Sequence, residues 1–562
     1  MLLFGPLASC AEDLPNELAS DVTPPPAVDP DAAAEASSPS LSYQPCPGGY
    51  SGACATVQMP LDWNAPAGRT IPVLIDKIVS SQRPKQQIWL LQGGPGGTAA
   101  GMIPLGLALA ERMPDAEVMT LEHRGVGASS RLACPKAEAK HAATSSDAGT
   151  DDAPDAEADP DASTPTVEGA GPLPNRECLD EINAARGEDL RHFTTTNAAR
   201  DLARAIELTR RDPAVPVFVY GVSYGTYWVH RFLQVAPNAA SGVVLDSIVT
   251  PGEQFLSTFD LQGDLAAMKV AEHCKLDAQC NAFLGPDPWA RLQEIKVKAD
   301  QGHCPEAGLK PRDRTRLTFL LQLRILSGYA FALFHRFDRC TAEDAAAIRT
   351  FASRNLTLDP NAALNSSALY ANIAFSELWE SPPPDAATMA QRFGASVFPS
   401  GIDQLAPLYA SWPRYDADEL VGKFATTNVP MLMLAGTLDA QTPIAQQEKF
   451  KPHFAGPKQT FVTVPNANHS VVSQSPMRPD IGSTEQRSCG FELLLSFLAN
   501  PEAPIDTSCT TKIAPIEFAR PADEVAYLFG TSEMWLGARR ESDVQPPSLI
   551  RLPTVTRFPF GF

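Results

Sequence analysis

Positive charge is scarce in this chain: 45 Lys and Arg stand against 65 Asp and Glu, a net charge of -20. That balance argues against nucleic acid or an anionic membrane surface as the main partner. No run is long and apolar enough to span a bilayer. No C-x-x-C pair or Cys/His cluster offers a zinc site, so neither a metal nor a cofactor is expected. The first residues, Met1 to Pro6, contain no Lys or Arg and are too short for the apolar region of a full export signal. From Ala11 to Pro45 there is no aromatic residue before Tyr43, and Pro, Ala, Asp, Glu and Ser dominate. Such a stretch cannot bury a core and reads as a disordered tether.

What is present points elsewhere. The chain has 562 residues, 44% of them hydrophobic, which suits a large α/β enzyme with insertions. Leu7-Ala8-Ser9-Cys10 fits the lipobox of bacterial lipoproteins, making Cys10 a candidate lipid anchor and the chain a candidate for export. The other cysteines fall into neighbouring pairs: Cys46 with Cys54, Cys134 with Cys178, Cys274 with Cys280, Cys304 with Cys340, and Cys489 with Cys509. Paired cysteines suit an oxidising compartment, although spacing alone leaves other connectivities and scattered buried thiols open.

The central motif is Gly221-Val222-Ser223-Tyr224-Gly225. An apolar β-type run, Val215 to Tyr220, precedes it and helix-compatible sequence, Thr226 to Val235, follows. A G-x-S-x-G between strand and helix forces a tight turn that lifts the serine hydroxyl out of the sheet edge. Ser223 is therefore the candidate nucleophile. Upstream, a strand over Gln87–Gln92 ends in Gly93-Gly94-Pro95-Gly96-Gly97, a loop able to bring backbone N–H groups close to a ligand. Pro95 has no N–H to donate, so Gly94, or alternatively Gly93, is the candidate oxyanion donor, joined by the N–H of Tyr224. His123, after a strand ending at Leu121, reads as part of a structural turn whose Arg124 packs behind that loop.

Between Cys134 and Cys178 lies an acidic insert, densest at Asp147 to Asp161, read as a solvated loop closed at its base by a disulfide. Thr194 to Thr196 offer an N-cap to a helix over about Asn197–Arg210. Alternating strands and helices predict a mostly parallel sheet with right-handed crossovers. From about Thr250 to Phe424 the pattern becomes helical, with runs such as Leu317 to Phe334, and predicts a cap over the mouth of the site. The sheet resumes at Val429 to Ala435 and leads to Asp439, held between Gly436 and Pro443. A further strand, Thr460 to Val464, leads to His469. A buried carboxylate can orient a histidine, which in turn can take the serine proton. Ser223, Asp439 and His469 follow the chain order of an α/β-hydrolase triad.

These stretches, with Val57 to Trp63, His123 to Ser129, Thr195 to Leu202 and Cys489 to Cys509, resemble the secreted bacterial tripeptidyl aminopeptidase group of α/β-hydrolases, related to proline iminopeptidase. The resemblance covers about Cys46 to Cys509 and is weakest in the helical cap. It implies a serine peptidase that releases short N-terminal segments or single residues from peptides with a free amino end. It also implies that cap carboxylates hold the substrate ammonium, with Glu377 the first candidate and Glu380 the second. Phe375 stands where many relatives carry a cysteine, and Gln92 stands where proline iminopeptidases carry a histidine. The expected fold class is α/β: an α/β-hydrolase fold with a mostly parallel central sheet and an inserted mainly helical cap domain. The expected layout is a processing segment and linker (1–45), a first core part (46–250, with the acidic insert at about 135–177), a helical cap (251–425), a second, TAP-like core part (426–515) and a C-terminal extension (516–562). Two other readings remain open at this stage: an esterase on small acyl esters with the same triad, and a cell-surface binding protein without activity.

Overall fold

A computed structural model describes residues 41–140, 166–167, 171–353, 361–479 and 487–536. The lipobox match at Cys10, the N-terminal tether, the densest part of the acidic insert and the last residues of the tail lie outside these.

Nine strands form one sheet: β1 (Gln44–Pro45), β2 (Ala53–Pro60), β3 (Thr70–Val79), β4 (Gln86–Leu91), β5 (Ala116–Leu121), β6 (Val217–Val222), β7 (Gly242–Asp246), β8 (Met431–Gly436) and β9 (Gln459–Val464). Their spatial order is β1-β2-β3-β5-β4-β6-β7-β8-β9. The first pairings, β1 to β2, β2 to β3 and β3 to β5, are antiparallel. All the others are parallel. Strands β4 to β8 are buried along their whole length, as a parallel sheet covered on both faces requires. This is the expected α/β-hydrolase sheet, and its inner strands all end on one edge.

Helices cover the two faces. Helix α1 (Ile103–Arg112) crosses from β4 to β5 and α2 (Thr195–Thr209) leads into β6. Thr194 caps α2 by accepting from Asn197 N at 3.1 Å, which satisfies one of the unpaired first-turn donors. Helix α3 (Tyr224–Val235) follows the serine directly.

Between β7 and β8 the regular structure of the described residues is helical. Helix α4 (Phe259–Leu276) opens the insertion. The predicted helical run over Leu317–Phe334 is interrupted: α5 (Arg314–Gln322) stops and α6 (Ser327–Arg339) restarts, with Leu323 extended between them. The break lets Arg324 donate to Asn466 O at 3.0 Å and to the carbonyls of Ala514 and Pro515. Most of the insertion up to Phe351 packs around one apolar cluster that also takes in Phe518, Leu528 and Trp535 from beyond Cys509. The C-terminal segment is thus built into the cap. Trp535 stacks on Phe283 at 5.2 Å, and Arg336 donates to Met534 O at 2.8 Å. Helix α7 (Ser367–Glu377) belongs instead to the cluster under the main sheet. Phe375 meets Trp412 edge-on at 5.9 Å and Trp379 at 5.1 Å, so aromatic packing occupies the place where the resemblance implies a cysteine.

All five sequential cysteine pairs are disulfides in the structure. No helix of the described residues is long and apolar enough to cross a membrane.

Candidate active site

Ser223 closes β6 and starts α3 with φ +56° and ψ -128°. A non-glycine residue with positive φ costs free energy and persists only where its surroundings fix it. Those surroundings are tight. A Cβ on Gly221 would lie 2.3 Å from Gly225 O, and one on Gly225 would lie 2.5 Å from Leu91 O. The two glycines of the motif are therefore demanded by the approach of helix, turn and neighbouring strand. Thr226 ties the turn back on itself, donating to Ser223 O through its N–H (2.8 Å) and its hydroxyl (2.6 Å).

The glycine-rich loop lies directly over the serine, since a Cβ on Gly93 would sit 2.8 Å from Ser223 Cβ. Gly93 N–H is already used, donating to Gln92 Oε1 at 2.8 Å. Gly94 N–H has no partner among the described residues. Tyr224 is the first residue of α3, so helix geometry leaves its N–H without an intrahelical acceptor, at the positive end of the helix dipole. Gly94 and Tyr224 therefore offer the two free donors, and Gly93 does not. The loop beyond is anchored by Glu122, which is fully buried: its carboxylate accepts from Ala99 N (3.0 Å), Thr98 Oγ1 (2.8 Å) and the Tyr50 hydroxyl. Burial, helped by the charge of Asp76, pushes its pKa up to about 7 against those hydrogen bonds.

His469 lies on the loop after β9, and its Nδ1 is 2.9 Å from both carboxylate oxygens of Asp439. Asp439 also accepts from Gln441 N (2.9 Å), Thr442 N (2.7 Å) and Thr442 Oγ1 (2.6 Å). Burial alone would raise its pKa. The charge of His469 and the hydrogen bonds outweigh that, so the carboxyl stays below its ordinary range and ionised. Thr442 in turn lies 3.4 Å from His469 Nδ1 and lines the same small cavity as Ser223. That cavity also touches Gly94, Leu256, Phe259 and Leu378, and no charged side chain lines it.

The two acidic residues expected to hold a substrate ammonium each have protein partners in the structure. The Glu377 side chain is 1% exposed. It accepts from Thr195 N (3.1 Å), Tyr415 OH (2.6 Å), Tyr227 OH (3.1 Å) and Arg231 (3.1 Å). Every strong acceptor position is filled, and the charge is neutralised by Arg231. Glu380 accepts from Ser257 Oγ at 2.8 Å and pairs with Arg392. Both carboxylates join segments of the cap to one another or to the core. Neither lines the cavity at Ser223.

His123 is buried beside the nucleophile helix, with Nδ1 2.7 Å from Arg124 O and Nε2 3.2 Å from Tyr224 OH. Burial lowers its pKa to about 3, so it stays neutral. Arg124 makes a two-point ion pair with Asp201 (2.7 and 2.6 Å) and also binds the carbonyls of Pro60, Leu61 and His192. Sequence reasoning missed Thr442 and Glu122. The only signal for either was a polar residue at the end of a strand next to a motif already marked.

Part of the chain is similar to known proteins. Residues 403–509 match the family described as "TAP-like protein". The tripeptidyl aminopeptidases of Streptomyces coelicolor and Streptomyces lividans are each 29% identical over 206 residues. The aligned part spans 35% of this chain and 35% of each of those proteins. Among solved structures, Rv0554 from Mycobacterium tuberculosis shows TM-score 0.30 and 16% identity, covering 74% of this chain and 91% of that one. The strand order is that of an α/β-hydrolase fold, and over residues 403–509 the chain is similar to TAP-like proteins.

Proposed function

We propose that the protein is a serine exopeptidase that removes short N-terminal segments from peptides with a free amino end. The observation that carries the reading is the pairing of His469 with a buried, ionised Asp439, joined through Thr442 to the cavity of a serine held in strained geometry. The TAP-like match and the Streptomyces relatives supply the peptidase class. In this scheme Ser223 attacks the scissile carbonyl carbon and gives its proton to His469. Asp439 fixes the imidazole tautomer and stabilises its protonated form. The oxyanion is held by the N–H groups of Gly94 and Tyr224, each contributing about 3–4 kcal/mol in comparable sites. His469 then protonates the leaving amine, and water hydrolyses the acyl-enzyme. Five disulfides suit export into an oxidising compartment, and Cys10 is the candidate anchor point.

The test uses three substrates side by side: a peptidyl anilide with a free amino end, its N-blocked counterpart, and a short p-nitrophenyl ester. Cleavage of the first without the second supports the exopeptidase. Ester cleavage alone would make the protein an esterase, and no turnover of any would leave a binding protein.

A further inference from the structure

One buried carboxylate is used by none of the steps above. Asp246 ends β7, and its carboxylate accepts from Val471 N at 2.7 Å, Val472 N at 3.0 Å and Tyr220 OH at 2.8 Å. The neighbouring Ser247 Oγ accepts from Ser470 N at 2.8 Å. The three backbone N–H groups immediately after His469 are therefore all held by two consecutive residues at the end of one strand. The same Asp246 accepts the Ser223 N–H through its own carbonyl at 2.9 Å. One residue thus touches the backbone of both the serine turn and the histidine loop.

That loop needs holding. Asn466 and Ser470, on either side of His469, have φ of +56° and +62°, conformations that cost free energy unless the surroundings fix them. Asn468 reaches up to Leu321 O at 2.5 Å and Arg324 binds Asn466 O, so the cap grips the loop from above. Asp246 and Ser247 grip it from the sheet.

We infer that Asp246 is a positioning residue that fixes His469 relative to Ser223. The inference rests on the serine-histidine reading given above. Groups facing Asp246 are Tyr220 from β6 and His469 from the loop. Burial pushes its pKa up to about 6, against the hydrogen bonds and the His469 charge. An ionised Asp246 in turn favours protonated His469, because nearby opposite charges stabilise one another. Replacing it therefore has two consequences. Asparagine leaves one acceptor oxygen for Val471 N and Val472 N and puts an NH2 donor in place of the other, and the histidine loses a negative neighbour.

The experiment measures the rate of labelling by a fluorophosphonate as a function of pH, for wild type, Asp246→Asn, Ser247→Ala and Ser223→Ala. Asp246→Asn should label about 10- to 100-fold more slowly, the usual scale for an ångström of misplacement. The acid limb of its pH profile should move to lower pH. A merely structural role would lower the fraction of chain that labels and leave that limb in place. Ser247→Ala removes one acceptor and should slow labelling in the same direction by less. If Asp246→Asn fails to fold, Ser247→Ala decides: a wild-type rate overturns the inference. A wild-type rate and limb in Asp246→Asn overturns it as well, while the loss of labelling in Ser223→Ala leaves the serine reading standing. Equal labelling of Ser223→Ala and wild type overturns both together.

Discussion

Glu122→Gln should change how the stability of the protein depends on pH. The carboxylate is completely buried behind the glycine-rich loop, and burial raises its pKa from 4.5 to about 7. An unfolded chain releases that proton near pH 4.5, and the folded chain keeps it to about pH 7. The folded state therefore binds more protons across this window, and stability falls as pH rises through it. The span corresponds to about 3 kcal/mol at 1.36 kcal/mol per pH unit. Glutamine keeps an acceptor for Ala99 N and can donate to the hydroxyl of Thr98 or Tyr50, so it mimics the protonated acid. Relative to wild type, the variant should gain up to about 3 kcal/mol between pH 4.5 and pH 8. Unfolding entropy of about 2.1 cal/mol/K per residue over roughly 450 folded residues makes this a shift of about 3 °C. The assay is thermal unfolding of both proteins at a series of pH values. A constant difference in midpoint across the series would refute the argument.

Other perturbations follow from the same geometry. Gly225→Ala would drive a Cβ to 2.5 Å from Leu91 O; it should cost at least about 1–3 kcal/mol and lower turnover sharply, read by denaturant midpoint and initial rate. Glu377→Ala removes the nearer carboxylate of buried Arg231, leaving Asp418 at 3.7 Å, and should destabilise by up to about 3–5 kcal/mol; an unchanged midpoint with a raised KM would support the ammonium-anchor role. Asp439→Asn should keep the fold and lower kcat by about 10⁴-fold, because the histidine tautomer is no longer fixed. Removing the Cys134–Cys178 disulfide, whose partners are 44 residues apart, should cost up to about 4 kcal/mol by loop-closure entropy; equal midpoints with and without reductant would contradict this.

Much of the fold was legible from local pattern. Fully buried parallel strands read as short apolar runs, and Ser223 and Asp439 each follow one; His469 follows the partly buried β9, and the order of the three along the chain was visible. Other features depend on side-chain geometry that no spacing encodes. The choice between Gly93 and Gly94 turns on the Gln92 side chain accepting its neighbour's N–H. The role of Glu377 is set by Thr195 and Arg231, which lie 182 and 146 residues away in sequence. The break at Leu323 looked helical because its neighbours favour helix. It is imposed by contacts of Arg324 with segments 142 and 190 residues later. The described residues beyond Cys509 pack against side chains such as Phe283 and Arg336, contacts that local pattern does not encode.

The most direct test of the central claim is to locate a fluorophosphonate adduct by mass spectrometry after labelling the intact protein. A single adduct on Ser223, lost when the protein is unfolded before labelling, is the predicted result. An adduct on another residue, or none on folded protein, would contradict the account.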